Sequence, residues 1–306
     1  MLTGASRAAS RLAGLVALGG CLAAAGQELE PGAYSPAPVN YNIALVSAGS
    51  SSGDVAFDAS SPVSATSAVV RTASAGFVHT FALAGRSASI AAVAPYVRGD
   101  AEGLYLGERA SAHRSAFGDP LLRLAVNLYG VPAEDARHFT AGAARTVVGA
   151  SLLVVAPLGT YDDARLINVG ANRWAARPEI GFRRAIGRLT LEADVGLWLY
   201  GDNRDYRGGR TRTQDPVRSA QLHAIYTLYP RAWLALDANT YAGGRTAVDG
   251  RQTAGDQHNS RAGVTLALPL DAHQSLRVAY SRGARVTIGG DFSTYTLTYQ
   301  YGWLAP

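Results

Sequence analysis

The sequence has no lysine and a single cysteine, Cys21, among 306 residues. One cysteine makes no intramolecular disulfide and builds no thiolate metal cluster. All 28 basic residues are arginine, and alanine is abundant; both features reflect the coding bias of a GC-rich genome and carry no functional weight. Beyond residue 25 no apolar run is long enough for a membrane helix, which needs about 18 residues or more. No metal-ligand spacing occurs, and no glycine-rich phosphate loop follows a strand and opens a helix, so neither a metal nor another cofactor is expected.

The first residues stand apart. Arg7 and Arg11 precede an apolar run from Leu12 to Ala25 that is too short for a stop-transfer helix and fits a secretory signal. Ala23-Ala24-Ala25 offers an ordinary cleavage site, whereas Leu18-Gly19-Gly20-Cys21 is similar to a lipobox whose cysteine would be acylated; Cys21 could equally be filler in the apolar stretch. The preferred division is a signal over 1–26 and one exported domain over 27–306. Loss of Arg7 and Arg11 leaves 26 arginines against 23 acids, a net charge of +3. That is too small and too dispersed for a nucleic-acid footprint.

The remaining chain alternates. Leu189, Leu191, Ala193, Val195, Leu197 and Leu199 share one face, and Thr190, Glu192, Asp194, Gly196, Trp198 and Tyr200 share the other, a period of two that means a strand. Similar segments predict twelve strands, at 38–47, 68–82, 87–98, 119–130, 145–157, 173–185, 189–201, 217–229, 232–243, 259–270, 274–284 and 292–303. Tight links at Gly85-Arg86, Gly187-Arg188, Pro230-Arg231 and Asp271-Ala272 intersperse with long polar ones at 48–67, 99–118, 158–172, 202–216 and 244–258. The stretch 131–144 alone is long where a short turn is due.

An even number of strands, short turns on one side and long loops on the other predict an all-β fold, a transmembrane antiparallel up-and-down β-barrel of about twelve strands. Its short turns would be periplasmic, its long loops extracellular, and its lipid the outer membrane of a Gram-negative bacterium. Closure satisfies every backbone hydrogen bond within lipid and leaves no edge. A soluble sandwich or lipocalin-like barrel also alternates, but it turns its apolar face inward. Here the polar faces carry Arg, Glu, Asp, Gln and Asn on many strands, while the apolar faces carry Leu, Val and Ala with aromatics toward the ends, as a lipid band between aromatic girdles requires. Pro178, inside a predicted strand, predicts a bulge or irregular pairing. The Gly187-Arg188 link favours a type II′ turn, which sets Arg183 opposite Glu192 on the polar face.

Several stretches resemble the outer-membrane transporters named for the MetA pathway of phenol degradation. They are Glu28-Leu-Glu-Pro-Gly-Ala-Tyr-Ser-Pro36, Gly118-Asp119-Pro120, Asn127-Leu128-Tyr129-Gly130, Leu166-Ile-Asn-Val-Gly-Ala-Asn-Arg-Trp174, Arg177-Pro178-Glu179-Ile180-Gly181, Gly243-Gly244-Arg245-Thr246, Asn259-Ser260-Arg261 and Gly289-Gly290-Asp291-Phe292. The resemblance implies a barrel that passes phenolic or related aromatic breakdown compounds across the outer membrane. It also implies a terminal aromatic used by the barrel-assembly machinery; this chain departs from that pattern, since Trp303 is followed by Leu304, Ala305 and Pro306.

No catalytic residue is expected. His258-Asn259-Ser260 and His273-Gln274-Ser275 have the His-x-Ser spacing of outer-membrane phospholipase A, but the first lies at a loop-to-strand junction and the second at a periplasmic turn, both wrong for attack on outer-leaflet lipid. Candidate pore-lining residues are the polar-face set Arg123, Asn127, Arg177, Glu179, Arg183, Glu192, Asp194, Gln221, His223, Asp237, Asn239, Arg261 and Arg277. Such a set could line a polar pore or form a sealed interior of paired charges, and twelve strands fall between filled and open barrels. A diffusion channel for small molecules and a structural or surface-interaction barrel both fit.

Overall fold

The computed structural model describes residues 29–56, 63–105, 108–140, 146–165 and 167–305. The signal expected over 1–26, with Cys21, and the cleavage point near Gln27 lie outside these residues.

The described residues are all strand and loop. In chain order the strands are β1 (Tyr41–Ala56), β2 (Val63–Leu83), β3 (Arg86–Tyr105), β4 (Glu108–Phe117), β5 (Leu121–Tyr129), β6 (Thr146–Val155), β7 (Ala175–Ile186) and β8 (Leu189–Tyr200). There follow β9 (Asn203–Tyr206), β10 (Arg210–Gln214), β11 (Val217–Tyr229), β12 (Ala232–Gly243), β13 (Thr246–Val248), β14 (Arg251–Ala254), β15 (Gln257–Pro269), β16 (Gln274–Arg285) and β17 (Gly289–Leu304). The main sheet runs antiparallel from β2 through β1, β17, β16, β15, β12, β11, β8, β7, β6 and β5 to β3, and β2 pairs with β3 to close it. β4 and β5 pair end to end with the two halves of β3 across the Gly118-Asp119-Pro120 break, so the closed wall is twelve strands around.

Each of the twelve expected strands corresponds to one staves' width of this wall. Their lengths differ at the open end, because β1, β2, β3 and β4 run on through much of the expected loops 48–67 and 99–118. Small and polar residues there continue the strands without an apolar outward face, so composition alone read them as loop. The expected loops 202–216 and 244–258 hold the hairpins β9/β10 and β13/β14, which join through β10 and β13 into a separate four-stranded sheet.

Turn chemistry fixes the register. Gly187 has φ 60° and no positive φ occurs at Arg188, as a type II′ turn requires. Arg183 accordingly pairs with Glu192, Ile180 with Val195 and Glu179 with Gly196. At Pro178 the ladder between β7 and β8 lapses over Arg177 and Pro178, yet Ala176 still faces Leu199 and the register is the same on both sides. The proline therefore removes a hydrogen bond without inserting a residue, so there is irregular pairing and no bulge.

The outward face is an apolar band that includes Leu122, Leu124, Ile180, Phe182, Leu191, Val195, Leu222, Leu236 and Leu297. A patch of that size is untenable in water and is the expected surface in lipid. Aromatic girdles bound it, with Phe77, Tyr301 and Trp303 in contact near the short-turn end and the pairs Tyr96/Phe117 and Tyr280/Tyr295 nearer the long loops.

Two segments that are not strands enter the barrel. Residues 29–40 precede β1 and lie inside the lumen, where Glu30, Tyr34, Ala37 and Val39 are buried. Residues 131–139 of the long connection after β5 fold across the short-turn mouth: Ala133 N–H donates to the Gly85 carbonyl at 3.0 Å, Val39 N–H donates to the Glu134 carbonyl at 2.9 Å, and Phe139 packs on the inward cluster of Tyr41, Ile43, Leu45, Val78 and Ala91. Its unexpected length thus has a packing reason.

Candidate functional site: the lumen and its extracellular cavity

The inward positions of the strands divide into two levels. Above the apolar cluster of Tyr41, Ile43, Leu45, Val78 and Ala91 at the short-turn mouth, they are polar and charged at mid-height; toward the long loops they become apolar and aromatic.

At the polar level all thirteen candidate residues point inward. Arg123, Asn127, Arg177, Glu179, Glu192, Asp194, Gln221, His223, Asp237, Asn239 and Arg261 are buried, while Arg183 and Arg277 are partly so. The structure brings most of them together around residues 30–35. The Glu30 carboxylate accepts two hydrogen bonds from Arg177 Nη2, both at 3.2 Å. Arg177 and Arg123 both reach Glu179, each at 3.4 Å. Arg183 Nη1 lies 2.8 Å from Glu192 Oε1, and Glu192 Oε2 accepts the Gly32 N–H at 2.6 Å. The Glu30 N–H donates to Gln221 Oε1 at 3.3 Å.

Tyr34 is held most closely. Gly149 of β6 and Gly181 of β7 are cross-strand partners, and a Cβ at either would lie 2.1 Å from an atom of the Tyr34 ring. The two glycines leave a slot that the ring fills. Its hydroxyl lies 3.1 Å from both Ser151 Oγ and Glu179 Oε1, and the Arg123 guanidinium stands 5.2 Å from the ring centroid. The charges of the lumen are therefore matched mainly within the strand wall, with Glu30 of the N-terminal segment as a further partner of Arg177 and the segment's Gly32 and Tyr34 hydrogen-bonded to the wall's glutamates. A buried charge needs such a partner, because an uncompensated one is strongly unfavourable.

Further round the barrel the remaining candidates make a second group. His223 Nδ1 is 2.7 Å from Asp237 Oδ1, with Asp194 Oδ2 3.9 Å from its Nε2. Thr265 donates to Asp237 Oδ2 at 2.8 Å. Arg261 bonds Ser281, Thr294 and the Phe292 carbonyl, and Arg277 lies 5.2 Å over the Trp233 ring. Neither His-x-Ser pair forms a hydrogen-bonded dyad among the described residues: His273 Nδ1 is 2.9 Å from the Gly302 carbonyl oxygen, and Ser275 bonds Gln300.

Above this level sits a feature the sequence did not disclose. Inward-facing Leu153, Val155, Trp198, Val217 and Tyr241 form an apolar cluster, with Tyr200 packed on it. Val155, Trp198, Val217 and Tyr241 floor a cavity of about 650 Å³ on the side of the long loops. Val97, Ile167 and Phe292 add apolar wall, and Arg114, Arg173, Arg212 and Gln214 add polar groups. Tyr206, Thr246 and Ala254 bring the small four-stranded sheet into its wall. Alternation had placed Trp198 and Tyr200 on the inward face; what it could not show was that their inward neighbours on β6, β11 and β12 are also apolar at the same height.

The sequence matches, over residues 50–304, the family described as "Putative MetA-pathway of phenol degradation". The chain belongs to this family. No match is found among curated proteins. Among solved structures the fold is similar to that of an outer membrane channel from Pseudomonas putida F1, at 23% identity and a TM-score of 0.79 over 90% of this chain and 100% of that one. More remote likeness extends to the β domain of a Bordetella autotransporter, at 12% identity and a TM-score of 0.48 over 85% of this chain and 98% of that one. The transport unit of the autotransporter AIDA-I from Escherichia coli gives 10% identity and a TM-score of 0.48 over 97% and 98%. This MetA-pathway family member is thus a closed antiparallel barrel of the Gram-negative outer membrane, with lipid around its apolar band.

Proposed function

We propose that the protein is a non-catalytic channel through which small aromatic compounds, phenolic ones included, cross the outer membrane. The observation that carries this reading is the cavity of about 650 Å³ open toward the long loops, whose walls are mostly apolar and aromatic with a few polar groups. Sites for small organic molecules have this composition and fall within about 300–1,000 Å³. The polar lumen set, Arg123 to Arg277, would form the next stage of the path, around residues 29–40. The outward-facing C-terminal aromatics Tyr299, Tyr301 and Trp303 of β17 are the segment that the barrel-assembly machinery would engage. A second reading, a structural barrel with no open pore, draws on the filling of the lumen at mid-height by residues 30–35.

Uptake of a labelled phenol at low external concentration, with and without the gene, tests the first reading. Slower uptake without the gene is expected. Unchanged uptake would leave the structural barrel.

A further inference from the structure

Three arginines around the cavity lack an acidic partner. Arg114 donates to the Ile167 and His113 carbonyls, both at 2.7 Å. Arg173 bonds the Gln214 side-chain oxygen and lies 4.5 Å over the Tyr200 ring, while its Nη1 is buried with no hydrogen-bond partner. Arg212 lies 5.5 Å over the Tyr206 ring. Among the described residues no carboxylate comes within 4.0 Å of any of these three guanidinium groups.

The two cavity acids are engaged elsewhere. Asp119 accepts the N–H groups of Gly159 at 2.8 Å and Ala171 at 2.7 Å, and Asp100 pairs with His113 at 2.6 Å and Arg71 at 3.8 Å. Desolvation and the neighbouring Arg212 charge pull the pKa of Arg173, which lies in the loop before β7, down to about 10, and Tyr200 and Asp202 offset this only in part. In the lumen below, by comparison, Arg123, Arg177 and Arg183 each have a glutamate within reach.

Three cations without counter-charge, two of them stacked on tyrosine, surround a cavity floored by Trp198, Tyr241 and Val217. We propose that this cavity binds an aromatic ring carrying an ionised acidic group, with the ring against the Trp198/Tyr241 floor and the anion held by Arg173 and Arg212. This deepens the channel reading and rests on it for its biological meaning. A neutral ring alone would leave the three guanidinium groups as they are, without a counter-charge. An anion supplies charge-assisted hydrogen bonds, which are roughly twice as strong as neutral ones. Arginine's planar fork suits a carboxylate in two-point contact.

The test is calorimetric titration of the purified barrel in detergent with benzoate, benzamide and acetate. Benzoate is expected to bind saturably and about tenfold or more tighter than its neutral isostere benzamide, and acetate, which lacks a ring, not to bind in the same range. Arg173→Gln and Arg212→Gln should each shrink the benzoate-to-benzamide ratio, with a heat-modifiable gel shift showing that the variants remain folded barrels. Equal affinity for benzoate and benzamide, no benzoate binding, or an unchanged ratio in both variants would overturn the proposal. Binding in detergent involves no flux, so failure here is separate from failure of the uptake experiment.

Discussion

Glu30 and Arg177, 147 positions apart in sequence, meet in the lumen through two hydrogen bonds of 3.2 Å. The carboxylate belongs to the segment before the first strand and the guanidinium to β7, so this pair fastens the N-terminal segment to the wall. Arg177 is 2% exposed, and removing one partner of a buried pair costs about 3–5 kcal/mol when nothing else compensates. Glu179 lies 3.4 Å away and remains as a second partner, which lowers the expected cost for Glu30→Gln to the bottom of that range or less. Removal of Arg177 leaves both Glu30 and Glu179 with less compensation. Arg177→Met should therefore destabilise the barrel more than Glu30→Gln, as read from the temperature at which the folded gel band is lost. The reverse order would contradict this assignment of charges.

The glycine slot gives a sharper test of packing. Gly149→Ala puts a methyl where the Tyr34 ring now lies, 2.1 Å from Cδ1, and overpacking of this kind costs about 1–3 kcal/mol. In a Tyr34→Ala background the same substitution should cost almost nothing, since the ring is gone. An equal cost in both backgrounds would mean that Gly149 is required by the backbone and not by Tyr34.

Much of this architecture was legible in the sequence because a barrel wall obeys one local rule. Alternation placed Glu179, Arg183, Glu192 and Asp194 inward, and a two-residue turn at Gly187-Arg188 was enough to set Arg183 against Glu192. The position of residues 29–40 was not legible. Glu30, Gly32 and Tyr34 have no periodicity of their own, and their partners lie on β6, β7, β8 and β11. Their signal was indirect: the Glu28–Pro36 and Arg177–Gly181 stretches both belong to the family pattern, and the structure shows Glu30 and Tyr34 touching Arg177, Glu179 and Gly181. The apolar floor was hidden for a related reason. Val155, Trp198, Val217 and Tyr241 come from four strands, and only the three-dimensional register sets them at one height.

At the outer surface Arg210 Nε donates to Asp249 Oδ2 at 2.8 Å and the Thr211 N–H donates to Asp249 Oδ1 at 2.9 Å, tying the β9/β10 and β13/β14 hairpins together. These hydrogen bonds, that of Arg210 foremost, hold the Asp249 carboxyl below its ordinary range. A lowered folded-state value means the contribution is complete at neutral pH and is lost only as acid protonates Asp249 below the usual carboxylate range. Hydrogen exchange at Thr211, corrected for intrinsic pH dependence, should match Asp249→Asn protein only at strongly acid pH and be slower than it at neutral pH. Equal exchange at neutral pH would show that the contact contributes nothing to the pairing of the two hairpins.

Planar-bilayer recording on the purified protein tests most directly whether a path runs through the barrel around residues 30–35. Small conductance steps are expected from the native chain, and larger ones from Glu30→Ala/Tyr34→Ala, in which the segment has lost its ion pair with Arg177 and its seat between Gly149 and Gly181. Absence of conductance from both proteins, each shown to be folded by its heat-modifiable band, would contradict the channel and leave a sealed barrel.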